Sequence, residues 1–215
     1  VTTALSAPVR AVVLDLGGVL VDWNPRHLYR RIFAGEEGAM ERFLSTICTP
    51  EWNLELDRGR PMAEAVEELA ERHPEHAASI RAYRERWVEM VAGPLPGMPE
   101  LVDDLRSAGL ATYILTNSPG QAFPKACRAQ PFLQSFDGAL VSGDLGIVKP
   151  DPAIFRALVA KFDLEPAATV FVDDVEANVS GARACGLQAL LFPGAGALRQ
   201  ALRSAGVAVP ARPRP

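Results

Sequence analysis

Short, nearly unbroken apolar runs alternate with amphipathic, charge-bearing stretches along much of the chain. The first run, Val9 to Asp15, is apolar at almost every position and stops at Gly17-Gly18, as expected of a strand covered on both faces in a parallel sheet. Past residue 98 the two signals take turns. Pro99 to Ala108 reads as a helix closed by Gly109, Ala111 to Leu115 as a strand, Gln121 to Ala129 as a helix and Gly138 to Val141 as a short strand. Pro152 to Phe162 is again helical, Thr169 to Val172 a strand, Glu176 to Cys185 a helix closed by Gly186, and Gln188 to Phe192 a strand. This alternation predicts an α/β fold, a parallel sheet with helices on both faces.

Between residues 22 and 92 the pattern is helical and rich in charge, contains Trp23, Trp52 and Trp87, and shows no convincing strand. Its clearest helix is Met62 to Arg72, opened by Pro61 and closed before Pro74, with Ala63, Val66, Leu69 and Ala70 on one face. A second is expected from about Ala77 to Val91. The breakers Gly93-Pro94-Leu95-Pro96-Gly97 read as the linker that returns the chain to the sheet. The predicted organisation is a core of residues 1–21 and 93–215 with an all-helical domain, residues 22–92, inserted in it. The Pro- and Arg-rich tail from Ala208 is expected to be loose, and Glu67-Glu68 and Arg84-Glu85-Arg86 to form solvated helix faces.

Composition narrows the function more than the fold. With 215 residues, 48% hydrophobic and 22% charged, the chain can bury a substantial core. A net charge of -4 gives no electrostatic reason to expect nucleic acid or an anionic membrane as partner, so a small molecule is the expected ligand. Cys48, Cys127 and Cys185 are too few and too scattered for a disulfide framework or a zinc site, and read as buried free thiols of a cytoplasmic protein. The start, Val1 to Pro8, has neither the basic nor the apolar region of a leader, and no stretch reaches membrane-spanning length. Monomer and homodimer are equally compatible with the sequence.

Chemistry collects at strand ends. Asp15 ends the first strand, and Asp173 and Asp174 end the run Val170-Phe171-Val172. In an open parallel sheet these ends share one edge, where ligands bind, so the three acids should converge. Like charges so placed need protonation, a lysine or a divalent cation with hard oxygen ligands, for which Mg²⁺ is the natural choice. Gly17 and Gly18 let the main chain approach a ligand, although Asp15 could equally cap its own loop. Thr116-Asn117-Ser118 offers a hydroxyl and an amide to an oxyanion, or simply makes a turn before Pro119-Gly120. Lys149, between Val148 and Pro150, is either a surface charge or the cation among the carboxylates. One acid of Asp173-Asp174 could serve as a helix cap; the second, with Asn178 close by, has no such purpose.

In order, strand-Asp, strand-Thr, Lys-Pro and strand-Asp-Asp, these motifs resemble the haloacid dehalogenase (HAD) superfamily of hydrolases, over residues 9–20 and about 95–205. The resemblance implies a Rossmann-like core with a helical cap, here residues 22–92. It also implies a Mg²⁺-dependent phosphatase of a small phosphorylated metabolite, working through a phosphoaspartyl intermediate. By it, Asp15 is the nucleophile, and Asp15, the Gly17 carbonyl and Asp174 are metal ligands, with Asp173 holding metal-bound water. Thr116 and Asn117 then hold the phosphoryl oxygens close to Gly17 and Gly18, and Lys149 contacts both phosphate and nucleophile.

One position departs from that pattern: phosphatases of the family usually carry a second Asp, as general acid and base, where Gly17 stands here. The expectation is therefore a slow enzyme, a substituted acid such as Asp22, or a leaving group needing little protonation. 2-Haloacid dehalogenation, which needs no such proton, is the competing activity, and a phosphate-binding module of low turnover is a third. The pair Asp173-Asp174 favours phosphoryl transfer, since a metal-free dehalogenase has no use for it. Within the cap, Arg58 of Glu55-Leu56-Asp57-Arg58-Gly59 could reach an anionic substrate, with Trp23 and Trp52 lining the same space, although a helix-end turn for the arginine and cap packing for the tryptophans are the plainer reading. His27, His73 and His76 form no constellation and read as surface residues. Gly194-Ala195-Gly196 suggests a nicotinamide-binding turn, but Arg199 occupies the place of the third glycine.

Overall fold

The computed structural model describes residue 5 and residues 8–210. The elements begin with β1 (Ala11–Leu14), β2 (Val21–Trp23), α1 (Pro25–Ile32), α2 (Glu37–Thr46), α3 (Pro50–Asp57), α4 (Met62–Arg72), α5 (Ala77–Glu85) and β3 (Val91–Pro94). They continue with α6 (Met98–Ser107), β4 (Ala111–Thr116), α7 (Phe123–Ala129), β5 (Gly138–Val141), α8 (Ser142–Leu145) and α9 (Pro152–Phe162). The chain closes through β6 (Thr169–Asp173), α10 (Glu176–Ala184), β7 (Gln188–Leu191) and α11 (Ala195–Ser204).

Five strands form one parallel sheet in the order β5-β4-β1-β6-β7. β1 is buried at every position because it lies in the middle of this sheet. Its side chains alternate between two cores: Val12 and Leu14 pack with Leu101, Leu105 and Leu198, whereas Val13 packs with Phe155, Leu158 and Val179. From β1 the chain fills one side of the sheet with β4 and β5, then crosses to β6 and β7 on the other. The order therefore reverses at β1, and a crevice opens at its carboxyl end.

The segment between β2 and β3 is helical, and its buried side chains belong to the same cluster as Val12 and Leu14 of β1. Asn24 caps α1, accepting from the Arg26 amide at 3.0 Å, and Thr49 caps α3 through the Trp52 amide at 3.2 Å, with Pro50 in its first turn. Tyr29, Phe33 and Phe43 pack together with their rings tilted, and Trp52 packs edge-on against Tyr83. The α4 face buries Met62, Ala65, Val66, Leu69 and Ala70; Ala63, expected there, is half-buried. At the end of α3 the segment meets the core closely. Gly59 has φ +90°, and a Cβ there would lie 2.7 Å from the Gly143 carbonyl oxygen.

Several expectations need correction. The second helix stops at Glu85, a 3₁₀ turn spans Trp87–Met90, and the supposed linker begins as β3, antiparallel to β2. A two-stranded ribbon tolerates Gly93 and Pro94 because its outer edge needs no partner. The stretch from Ala208 is packed rather than loose as far as it is described: Val207 and Val209 are buried, and Arg199 Nη1 donates to the Pro210 carbonyl at 2.9 Å. Residues 211–215 of that tail, and most of the stretch Val1 to Pro8, lie outside the described residues. Only Cys48 is buried among the three free cysteines, Cys127 and Cys185 being partly exposed. Gly194-Ala195-Gly196 opens α11, whose Arg199 forms an ion pair of 2.6 Å with Asp104 of α6, both largely buried. Among the described residues no helix is long and apolar enough to cross a membrane.

Candidate active site

Asp15 follows β1 directly, at the crevice. Its amide donates to the Val172 carbonyl at 3.0 Å, continuing the ladder to β6, and its Oδ1 accepts from the Leu16 amide at 2.7 Å. Lys149 arrives from the loop before α9 and lies beneath it, 3% exposed. Its ammonium is 2.8 Å from Asp15 Oδ1 and 2.6 Å from Asp173 Oδ2, and donates to the Leu115 carbonyl at 3.1 Å. Asp173, fully buried at the end of β6, accepts through Oδ1 from the Val175 amide at 2.9 Å and from Asn178 Nδ2 at 3.0 Å. Both Asp173 oxygens are thus engaged. Asp15 Oδ2 accepts no hydrogen bond among the described residues.

Asp174, the next residue, is exposed to the crevice. One oxygen from each of Asp15, Asp173 and Asp174 lies within 4.8 Å of the others, a group able to hold a metal ion. Gly18, at φ +73°, makes room for it, since a Cβ there would overlap the Asp174 carboxylate. Thr116 ends β4 on the other side of Asp15 and lines the crevice. Asn117 does not offer its amide freely: Oδ1 accepts from the Lys149 main-chain amide at 2.8 Å and Nδ2 donates to the Lys149 carbonyl at 3.1 Å. Asn117 lines the cleft and also clamps the backbone that aims the lysine.

The electrostatics follow from burial. Burial pushes the Asp15 carboxyl well above the usual carboxylate range; Lys149 opposes the rise and Asp173 adds to it. Burial works against the Lys149 charge too, but Asp15 and Asp173 outweigh it and hold its pKa above the ordinary lysine value. Burial, then Asp173, raises Asp174 as well. Two buried carboxylates share one ammonium, so the ionised cluster keeps an unbalanced negative charge that a further cation would offset.

Above this cluster lies a cleft of about 340 Å³. Its floor is Asp15, Leu16, Gly17, Gly18, Thr116, Asn117 and Asp174, and its other walls include Val21, Trp23, Asn53, Asp57, Trp87 and Val91. The expected residues Asp15, Gly17, Gly18, Thr116, Lys149, Asp173 and Asp174 therefore meet at one place. Arg58 does not join them; it is exposed at the end of α3 and absent from the cleft wall. Asp22 pairs with His27 at 3.0 Å and is also off the wall, and Trp52 is buried against Tyr83, whereas Trp23 does line the cleft. Asn53, Asp57 and Trp87 were not anticipated. The signal for the first two was an amide and an acid four apart, which meet on one face of a helix, here at 3.0 Å.

Residues 9–186 match the family of haloacid dehalogenase-like hydrolases. The chain belongs to this family. Among HAD relatives it is 28% identical over 182 residues to the sesquiterpene phosphatase astK of Aspergillus oryzae, covering 84% of this chain and 88% of that protein. It is 29% identical over 201 residues to mouse acyl-CoA dehydrogenase family member 10, covering 84% of this chain and 18% of that much longer protein. In structure, it resembles a predicted HAD-like family hydrolase from Porphyromonas gingivalis, with TM-score 0.71 and 26% identity over 92% of this chain and 99% of that one. A HAD family enzyme from Bacteroides thetaiotaomicron, in complex with magnesium and inorganic phosphate, gives TM-score 0.66 and 23% identity over 87% of this chain and 96% of that one. The L-2-haloacid dehalogenase of Xanthobacter autotrophicus shares the fold as well, with TM-score 0.62 and 21% identity over 93% of this chain and 84% of that one.

Proposed function

We propose that this HAD hydrolase is a magnesium-dependent phosphatase that moves the phosphoryl group of a small phosphorylated metabolite to Asp15 and then to water. The observation that carries the reading is the division of labour in the acid pair at the end of β6. Asp173 is spent on Lys149, Val175 and Asn178, while Asp174 stands in the cleft beside Asp15. The open acceptors, Asp15 Oδ2 and the Asp174 carboxylate, are hard oxygen donors that suit Mg²⁺, with the Gly17 carbonyl as a further ligand. Bound there, the ion supplies positive charge that screens nucleophile from phosphate and favours ionised Asp15.

The remaining work falls to the chain. Lys149, held by Asn117, orients Asp15 and adds charge next to the transferring group; the Thr116 hydroxyl donates to a phosphoryl oxygen. An Asp15 oxygen forms a bond to phosphorus as the bond to the leaving oxygen breaks, and water then attacks phosphorus and releases Asp15 as carboxylate. Residues 22–92 act as a cap that closes over the cleft and contributes Trp23, Asn53, Asp57 and Trp87 to the substrate's surroundings, on a core of residues 1–21 and 93–215.

The competing reading, 2-haloacid dehalogenation, is favoured by one observation: Gly17 offers no side chain to protonate a leaving alcohol. A panel of phosphomonoesters and 2-haloacids, assayed with and without Mg²⁺, separates the two. Phosphate release that EDTA and Asp15→Asn both abolish is expected. Halide release unaffected by EDTA would replace the phosphatase reading by the dehalogenase one.

A further inference from the structure

Asp57 is a carboxyl at the cleft that the steps above leave without a task. It ends α3, is 7% exposed, and joins Asp15 and Asp174 as the third acidic side chain on the cleft wall. Those two stand on the sheet edge, one as attacking group and one as metal ligand in the reading above. Asp57 lines the same cleft but comes from the helical segment rather than the sheet edge, and the part of a substrate that departs from phosphorus would lie towards that segment in the reading above.

Its position is fixed on several sides. Asp57 Oδ2 accepts from Asn53 Nδ2 at 3.0 Å, Asn53 Oδ1 in turn accepts from the Tyr83 hydroxyl, and the Asp57 carbonyl accepts from Ser142 Oγ at 2.6 Å. Asp57 Oδ1 has no hydrogen-bond partner among the described residues. Burial pushes the Asp57 carboxyl up to about 7, with Lys149 and the Asn53 amide opposing the rise. The titratable groups acting on it are thus Lys149 from the loop before α9 and Tyr83 of α5. The neighbouring elements otherwise offer the neutral Asn53 and Ser142, and Arg58 next in the chain is exposed. A carboxyl that titrates near neutrality can both give and take a proton at working pH, which an ordinary aspartate cannot.

We propose that Asp57 is the general acid and base of this enzyme, an inference that rests on the phosphatase reading above. As Asp15 attacks, the phosphorus–oxygen bond of the ester breaks, its electron pair stays on the leaving oxygen, and Asp57 gives that oxygen its proton to make the alcohol. Asp57, now a carboxylate, takes a proton from water as the water oxygen bonds to phosphorus. The acyl phosphate bond breaks, its electron pair returns to Asp15, and inorganic phosphate leaves with Asp57 protonated again.

The test compares leaving groups. An alkyl phosphate needs the proton, whereas 4-nitrophenyl phosphate leaves as a stable anion without it. Parent, Asp57→Asn and Asp57→Glu are assayed on both esters with Mg²⁺, reading kcat/KM, and Asp15→Asn is run alongside. Asp57→Asn is expected to lose ~10²–10⁴ on the alkyl ester and less than about tenfold on the nitrophenyl ester, with partial recovery in Asp57→Glu. Equal losses on the two esters, or no loss on the alkyl one, would overturn the proposal. If Asp57→Asn does not fold, the parent decides: kcat/KM should fall above about pH 7 for the alkyl ester only, and identical profiles for both esters count against Asp57. A parent that hydrolyses neither ester, or an Asp15→Asn variant as active as the parent, refutes the phosphatase reading itself.

Discussion

Lys149 sits 2.8 Å from Asp15 and 2.6 Å from Asp173 with almost no exposure, so among the described residues its charge is the one paired with both buried carboxylates. Lys149→Met should remove activity and cost about 3–5 kcal/mol of stability at neutral pH, because it strands those carboxylates rather than replacing the whole cluster. The sign of the pH effect follows. Asp15 already titrates above its unfolded value, and losing the ammonium that opposes this rise lifts it further, so the deficit is largest where Asp15 must ionise and shrinks as acidification protonates it. Denaturant unfolding of parent and variant at pH 7 and pH 5 checks this; a deficit that is the same at both would mean that Lys149 is not the counter-ion of Asp15. At this scale Asp15 and Asp174 were legible because an acid at the end of an apolar strand has a place fixed by the sheet, whereas Lys149, in the loop before α9, was open between a surface charge and this place until the family resemblance assigned it. Asn117 and Asp57 were not legible. The role of Asn117 depends on a loop 32 residues away that only the fold brings to it, and Asp57 carries its shifted carboxyl because of burial that no local pattern encodes.

Among the elements, the alternating core was readable almost to the residue, since buried parallel strands are continuously apolar and their helices end at Gly109 and Gly186. The ribbon of β2 and β3 was missed because its Gly93-Pro94 has the composition of a linker, and pairing across 68 residues between Trp23 and Val91 leaves no local trace. α11 was missed for a related reason: its glycine-rich opening suggested a phosphate-binding turn, yet Arg199 there serves packing. That arginine reaches Asp104 of α6 at 2.6 Å and the Pro210 carbonyl at 2.9 Å, closing the core over residues 207–210. Arg199→Ala should lower stability by about 3–5 kcal/mol, as expected for breaking a buried pair, with kcat unchanged at temperatures where the variant stays folded. Thermal unfolding against the parent reads the first part, and an effect below about 1 kcal/mol would show the pair to be no more than a surface bridge.

For the whole molecule, the decisive feature is that strand order reverses at β1, which brings groups from residues 15, 116, 149, 173 and 174 to one crevice, with Asp57 at the end of α3 lining the same cleft. The sequence could place each acid at a strand end but not fix which strands are neighbours. The account as a whole stands on Asp15 forming a covalent bond to phosphorus. Its most direct test is to quench the enzyme with borohydride during turnover of a phosphomonoester with Mg²⁺ and locate the modified peptide by mass spectrometry. A reduced aspartyl side chain at Asp15, dependent on substrate and on the metal, is the predicted result. Sustained phosphate release with Asp15 unmodified, and undiminished in Asp15→Asn, would contradict it.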